Sequence, residues 1–240
     1  VSLTLDGSSV VTWGGVASGQ VALTTSNADD IIVACVAGEM NPASSRFVLG
    51  VTDQGSAGLT FTRLTSFNYT TTGFGSNAFA DMEIWWAKAP SPLSSEIIKA
   101  QFSAAMDAAW MILFGVTGAD QTQPWDTSAS FPATDSQPTN VDANMSISGL
   151  NIHASPSMLI EMFYTVRNEL PTPGSGFTNI KTAAVGPGTL WSSGFVAYEA
   201  FTPPQTGVTA AVTGNSQGCG FLVHALRGPT AGRRLAQVLT

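Results

Sequence analysis

The sequence predicts an all-β chain in which two antiparallel sheets pack as a sandwich built from two weakly repeated halves. Three observations carry this. Apolar residues alternate with polar ones at period 2, as on a strand with one dry face. Clusters of Gly, Pro, Ser and Asn separate these runs. The same order of elements then occurs twice along the chain. No long segment holds a 3.6-residue period.

Taken in order, Leu3 and Leu5 alternate with Ser2 and Thr4, so residues 1–28 read as one or two N-terminal strands or a docking segment. Asp30-Ile31-Ile32-Val33-Ala34-Cys35-Val36 is apolar on both faces, as a central strand would be. Met82, Ile84 and Trp86 alternate with Asp81, Glu83 and Trp85, the pattern of a strand with one wet face. Ile98, Ala100 and Phe102 alternate with Ile97, Lys99 and Gln101, and Val208, Ala210 and Val212 with Thr209, Ala211 and Thr213. Ser94-Ser95-Glu96 resembles a helix start, but the β-branched residues after it continue better as a strand. Between the runs lie Met40-Asn41-Pro42, Gly55-Ser56-Ala57-Gly58, Pro171-Thr172-Pro173-Gly174 and Gly186-Pro187-Gly188. These supply the positive or fixed φ angles of turns.

The repeat sets the organisation. Ile31 to Val36 matches Met158 to Tyr164, and Phe61-Thr62-Arg63-Leu64 matches Phe177-Thr178-Asn179-Ile180. An aromatic strand ending in proline, Ile84 to Pro90, matches Ala197 to Pro203, and Ile112 to Gly118 matches Leu222 to Gly228. The halves therefore run over about 29–118 and 157–228, joined by a polar bridge at 119–156 that Trp125 and Phe131 anchor. Each half could close as its own small sandwich, or both could interleave into one sandwich over 29–228. Interleaving is the expectation, because four or five strands hardly cover both faces of their own apolar strands. Residues 229–240 form a C-terminal tail.

Composition narrows the function. Charged residues are only 10% of the 240, hydrophobic ones 44%, with six Trp and thirteen Phe; an average domain has about 25% charged residues. Such a chain suits an assembly that hides much of its surface, or a place outside the cell. A net charge of −7 excludes a nucleic-acid partner, since phosphate demands a basic face; Arg227, Arg233 and Arg234 are too few to supply one. The longest apolar run, Ala108 to Val116, is far short of the roughly 18 residues of a spanning helix, so membrane insertion is not expected. Cys35 and Cys219 read as buried thiols, with a disulfide as the alternative. The sequence opens on Val1, as expected of a processed chain or a piece of a longer one.

Some residues also carry a resemblance. Ile31-Ile32-Val33-Ala34, then Val51-Thr52-Asp53 with Gly58-Leu59-Thr60-Phe61-Thr62-Arg63, then Glu83-Ile84-Trp85-Trp86-Ala87-Lys88, and Phe114 to Gly118 followed by Asp120, resemble jelly-roll modules of bacteriophage virion proteins and related exported bacterial proteins. The resemblance implies a jelly-roll-like winding and a tail, fibre or capsid-decoration role in a virion. It also implies other virion proteins as partners, and a homo-oligomer, by analogy a trimer. The alternative is a carbohydrate- or receptor-binding module of an exported protein at the cell surface.

The chemistry on offer is sparse, and no enzyme, cofactor or metal is expected. Gly214-Asn215-Ser216-Gln217-Gly218 fits G-x-S-x-G, yet no acid follows Glu199 to complete the order nucleophile, acid, histidine. The segment reads instead as a Gly-rich hairpin, and His224 as a core histidine. His153 and His224 are the only histidines and show no zinc spacing. Asp29-Asp30 reads as a turn and strand start, while Asp120 and Asp126 are candidates for calcium. Asp81 and Glu83 share a strand face roughly 6–7 Å apart. They are a weak glycosidase pair and a better sugar platform, with Trp85 on the same face. Tyr69, Phe74 and Trp191, read as loop aromatics, complete the candidate ligand-binding set.

Overall fold

The computed structural model describes residues 2–41, 44–72, 77–137, 144–166, 170–186, 192–202, 204–214 and 218–229. Phe74, Trp191, Ser216, Arg233 and Arg234 lie outside these, as does the tail beyond Pro229. The described residues form β1 (Thr4–Trp13), β2 (Ser18–Leu23), β3 (Asp30–Met40), β4 (Val48–Asp53), β5 (Thr62–Thr72), β6 (Asn77–Ala89), β7 (Glu96–Phe102) and β8 (Ala108–Thr117). They continue with β9 (Ala133–Gln137), β10 (Met145–Ile152), β11 (Ser157–Thr165), β12 (Thr172–Pro173), β13 (Thr178–Val185), β14 (Ser192–Phe201), β15 (Gln205–Thr213) and β16 (Cys219–Arg227). Every pairing is antiparallel. The chain is an all-β sandwich, as its periodicity predicts, and no helix long and apolar enough to cross a membrane occurs among the described residues.

The doubly apolar runs are central strands because each serves two cores. On β3, Ile31, Val33, Cys35 and Ala37 face one core while Ile32, Ala34 and Val36 face another. On β11, Met158, Ile160, Met162 and Tyr164 face the first of these, and Leu159 and Phe163 a third. A strand buried on both faces loses its polar alternation. Neither Cys35 nor Cys219 is in a disulfide, and both are buried.

The sheets are β1-β8-β3-β6-β5 with β2-β7-β4, and β13-β14-β11-β16-β9 with β10-β15-β12. Adding eight to each strand number of the first half reproduces the second half strand for strand. Each half therefore winds as a jelly roll, with its fifth strand passed to the larger sheet beside the sixth. No sheet mixes strands of the two halves, which corrects the expected interleaving. The four sheets stack as three, five, five and three strands. The two inner layers, one from each half, clasp a shared core, and each three-stranded sheet covers its own half's outer face. Residues 1–28 supply β1 and β2 of the first roll, and the 119–156 bridge supplies β9 and β10 of the second. β15 and β16 lie in different sheets and do not pair, so these two strands form no hairpin; residues 215–217 between them lie outside the described residues.

The seam between the halves is reciprocal. β1 and β8 lie against β13, and correspondingly β9 and β16 lie against β5, the relation expected of a two-fold interface. Its side chains are not symmetric. Met82, Ala37 and Trp110 stand side by side on β6-β3-β8. Gly194, Tyr164 and Gly220 stand side by side on β14-β11-β16. Large-small-large thus meets small-large-small. The Trp110 and Tyr164 rings lie 6.1 Å apart. A Cβ on Gly194 would come within 2.7 Å of Trp110, and one on Gly220 within 2.3 Å of Tyr69 and 2.7 Å of Met82.

Candidate functional site

The acids on β6 do not form the expected wet platform. Sheet β2-β7-β4 covers this part of β6, and the Val48 N–H donates to Asp81 Oδ2 at 3.0 Å. Glu83 is 1% exposed. It accepts the Trp85 indole N–H at 2.6 Å and meets Arg63 Nη1 at 3.4 Å. Burial pushes the Asp81 carboxyl up to about 6. Burial, then the neighbouring Asp81 charge, pushes Glu83 up to about 7 against the opposing pull of Trp85 and Arg63. Tyr69 lies in β5 rather than a loop. It is buried at the seam, with its hydroxyl 3.4 Å from the Tyr164 carbonyl that accepts from it. An alternation of acids looks solvated in a sequence, and only the strand lying over it shows otherwise.

The other candidates are held by structure. Asp120 Oδ1 accepts from the Thr122 N–H and hydroxyl and the Gln123 N–H, and Arg227 sits 3.6 Å from its other oxygen. Asp126 accepts from the N–H groups of Ser128, His153 and Ala154. These carboxylates are engaged mainly by backbone donors and, at Asp120, by Arg227, which accounts for both without a bound cation. No group of three or more His, Cys, Asp or Glu fit to hold a metal occurs among the described residues. Asp29 takes φ 60° before β3, and Asp30 is buried at its start, in keeping with a turn and strand start. His224 lies buried between Trp125 and Phe131, with ring centroids at 5.1 and 5.5 Å. Burial pushes it down to about 4, so it is a neutral core histidine.

The structure draws two other segments together. After β4, Asp53 folds the chain back by accepting the Gly55 and Leu59 N–H groups, each at 2.9 Å. Glu96 accepts the Ala57 N–H at 2.8 Å. Burial would raise the Asp53 carboxyl, but these donors, Leu59 foremost, hold it below its ordinary value. Leu59 is buried as the anchor of the loop. Gly58 at φ +69° makes the turn that an L side chain rarely tolerates. With Leu59 turned inward, Gly58, Thr60 and Thr62 are left on the surface. Thr62 pairs with Trp86 across β5-β6. Gly58, Thr60, Thr62, Trp86 and Lys88 line an open cleft of about 310 Å³. On the loop's other flank a hollow of about 350 Å³ runs between Ser56 and Pro92 down to Glu96.

Both lining segments belong to the stretches that carry the jelly-roll resemblance. The sequence singled out Trp85, whereas its neighbour Trp86 is the indole that meets the cleft. Neither a family model, nor a curated protein, nor a solved structure matches this chain.

Proposed function

We propose that the chain is a non-enzymatic structural module of a phage virion, which joins further copies of itself through the outer sheet of its first half. One observation carries the assembly reading. β4 is one of the two edge strands of that sheet, and it bears no Lys, Arg or Pro. Natural edges are usually guarded by such residues. The equivalent edge in the second half is the two-residue Thr172–Pro173, short and blocked by proline. Leu49 on β4 is 60% exposed and Phe47 beside it 47%. Val16, also exposed, flanks the same end of β7: the Met106 N–H donates to Val16 O, and the Ser103 N–H donates to Phe47 O. Apolar side chains on an open edge suit pairing with another copy. The virion setting follows from the resemblance and from the sparse charge.

Light scattering with size-exclusion chromatography across a concentration series tests assembly. A discrete oligomer that Leu49→Lys converts to monomer is the expected result. A wild-type monomer at every concentration contradicts it. Mass spectrometry of purified phage particles tests the location, and absence of the chain's peptides there contradicts the virion reading.

A further inference from the structure

We propose that the cleft between the 58–62 segment and the end of β6 binds a pyranose sugar bearing a carboxylate, without cleaving it. This goes beyond the assembly reading and uses none of the residues on which that reading rests.

The argument starts from Trp86. Its inner side packs against the core shared by the two halves, while the ring remains partly exposed and lines the cleft. An indole held in this way loses little freedom when a ligand arrives. Its free face offers the apolar, electron-rich surface on which the C–H face of a pyranose stacks. Thr60 and Thr62 are exposed and alternate with buried Leu59 and half-buried Phe61. The two threonines, with one residue between them, line the same cleft and can serve two hydroxyls of one ring. Each threonine both donates and accepts.

Lys88 supplies the charge. It is exposed, and it is the only charged residue among those lining the cleft. Among the described residues no carboxylate forms an ion pair with it; the two ion pairs there belong to Arg63 and Arg227. On a chain of net charge −7, an ammonium without a counter-charge is where a carboxylate settles, and a charge-assisted hydrogen bond there is stronger than a neutral one. The end of the cleft at Gly58 is open, with no atom within 4 Å of where a Cβ would stand. A volume of about 310 Å³ lies at the small end of ligand pockets, enough for one ring or two. None of the five lining residues carries a carboxyl, so the cleft lacks the carboxyl pair that ordinarily cleaves a glycoside. In the second half, register places Tyr198 and Ala200 where the first half has Trp86 and Lys88. The cation is not repeated, and the site belongs to the first half alone.

The test is titration of the full chain with an oligoglucuronide of two to four rings, the matching neutral oligoglucoside, and sodium acetate. Calorimetry and tryptophan fluorescence serve as readouts. Saturable binding of the oligoglucuronide is expected, with the neutral sugar weaker and acetate weaker still. Lys88→Gln is expected to weaken the acidic sugar roughly tenfold, the loss of one charged hydrogen bond, and to leave the neutral sugar unchanged. Trp86→Phe keeps a packed ring and is expected to weaken both sugars. Equal affinity for acidic and neutral sugar, acetate bound as well as the oligoglucuronide, or an unaltered Lys88→Gln variant would each overturn the proposal. So would the lack of saturable binding at millimolar sugar. Leu49→Lys leaves sugar binding intact and Lys88→Gln leaves the oligomer intact, so failure of one proposal is distinguishable from failure of the other.

Discussion

Glu161 stands on β11 between Leu159 and Phe163, both of which face the second half's own core. It is 0% exposed, and neither carboxyl oxygen has a hydrogen-bond partner among the described residues. Burial, reinforced by the nearby Glu199 charge, pushes its carboxyl up to about 9. The side chain is therefore a neutral acid at pH 7, and even so its desolvated oxygens cost stability. Glu161→Leu is expected to stabilise the chain by about 1–3 kcal/mol, read as a raised midpoint in urea with an unchanged slope. The same physics recurs at four other sites. Burial pushes Asp30 up to about 7, Glu39 to about 8, Asp81 to about 6 and Glu83 to about 7. An unfolded carboxyl titrates near 4, so between pH 4 and 9 the folded chain holds more protons than the unfolded one. The stabilisation from these groups is complete below about pH 4 and is lost as pH rises through each folded value. His224, pushed down to about 4, opposes this from about pH 6.5 downward, as one group against five. Melting by circular dichroism is expected at a higher temperature at pH 5 than at pH 9, and the reverse order would contradict the buried state of these acids. None of this was legible in the sequence, where Asp81 and Glu83 alternate with Met82 and Ile84 as solvated residues do.

At the scale of elements, the strands were readable and their covering was not. Alternation at Ile98, Ala100 and Phe102 marks β7, and all three are buried. The doubly apolar runs mark β3 and β11. Those patterns depend only on what each strand does to its own neighbours. Whether the polar side of β6 meets water depends on β4, which is distant in sequence and arrives from the other sheet. Likewise Trp85 and Trp86 are equal by pattern, and the fold ties the first to Glu83 and turns the second to the cleft. The loop between β4 and β5 is an intermediate case. Its Gly-rich turn is plain in the sequence, but the clamp that fixes it is the Asp53 carboxylate. Asp53→Ala would leave the Gly55 and Leu59 N–H groups without their acceptor. It is expected to cost about 1–2 kcal/mol in thermal unfolding, and a loss within about 0.5 kcal/mol would show that the clamp does not hold the loop.

For the whole molecule, one winding occurs twice and meets itself face to face. The sequence repeat was visible over 29–118 and 157–228, where apolar strands and prolines keep their order. It missed the first two strands of each roll, because β1 and β2 share no apolar pattern with β9 and β10. Interleaving was expected because each half looked too small to cover itself. The three-stranded sheets and the shared core resolve that: each half covers one face of its large sheet, and the other half covers the second. The seam is complementary as well as apolar, since Trp110 and Met82 project where the second half has Gly194 and Gly220. Two first halves would bring Trp110 against Met82, and two second halves would leave voids, so the sequence favours pairing between unlike halves.

A double-mutant cycle across the seam, with Tyr69→Ala from the first half and Gly220→Ala from the second, measured by equilibrium unfolding, tests this arrangement most directly. Tyr69→Ala alone is expected to cost about 3–5 kcal/mol by opening a cavity, and Gly220→Ala alone about 1–3 kcal/mol by overpacking. Because the new methyl enters the space that the ring vacates, the double variant is expected to be more stable than the sum of the two losses by more than about 1 kcal/mol. Losses that add within about 0.5 kcal/mol would mean that the two residues do not meet, and that the halves are not joined as described.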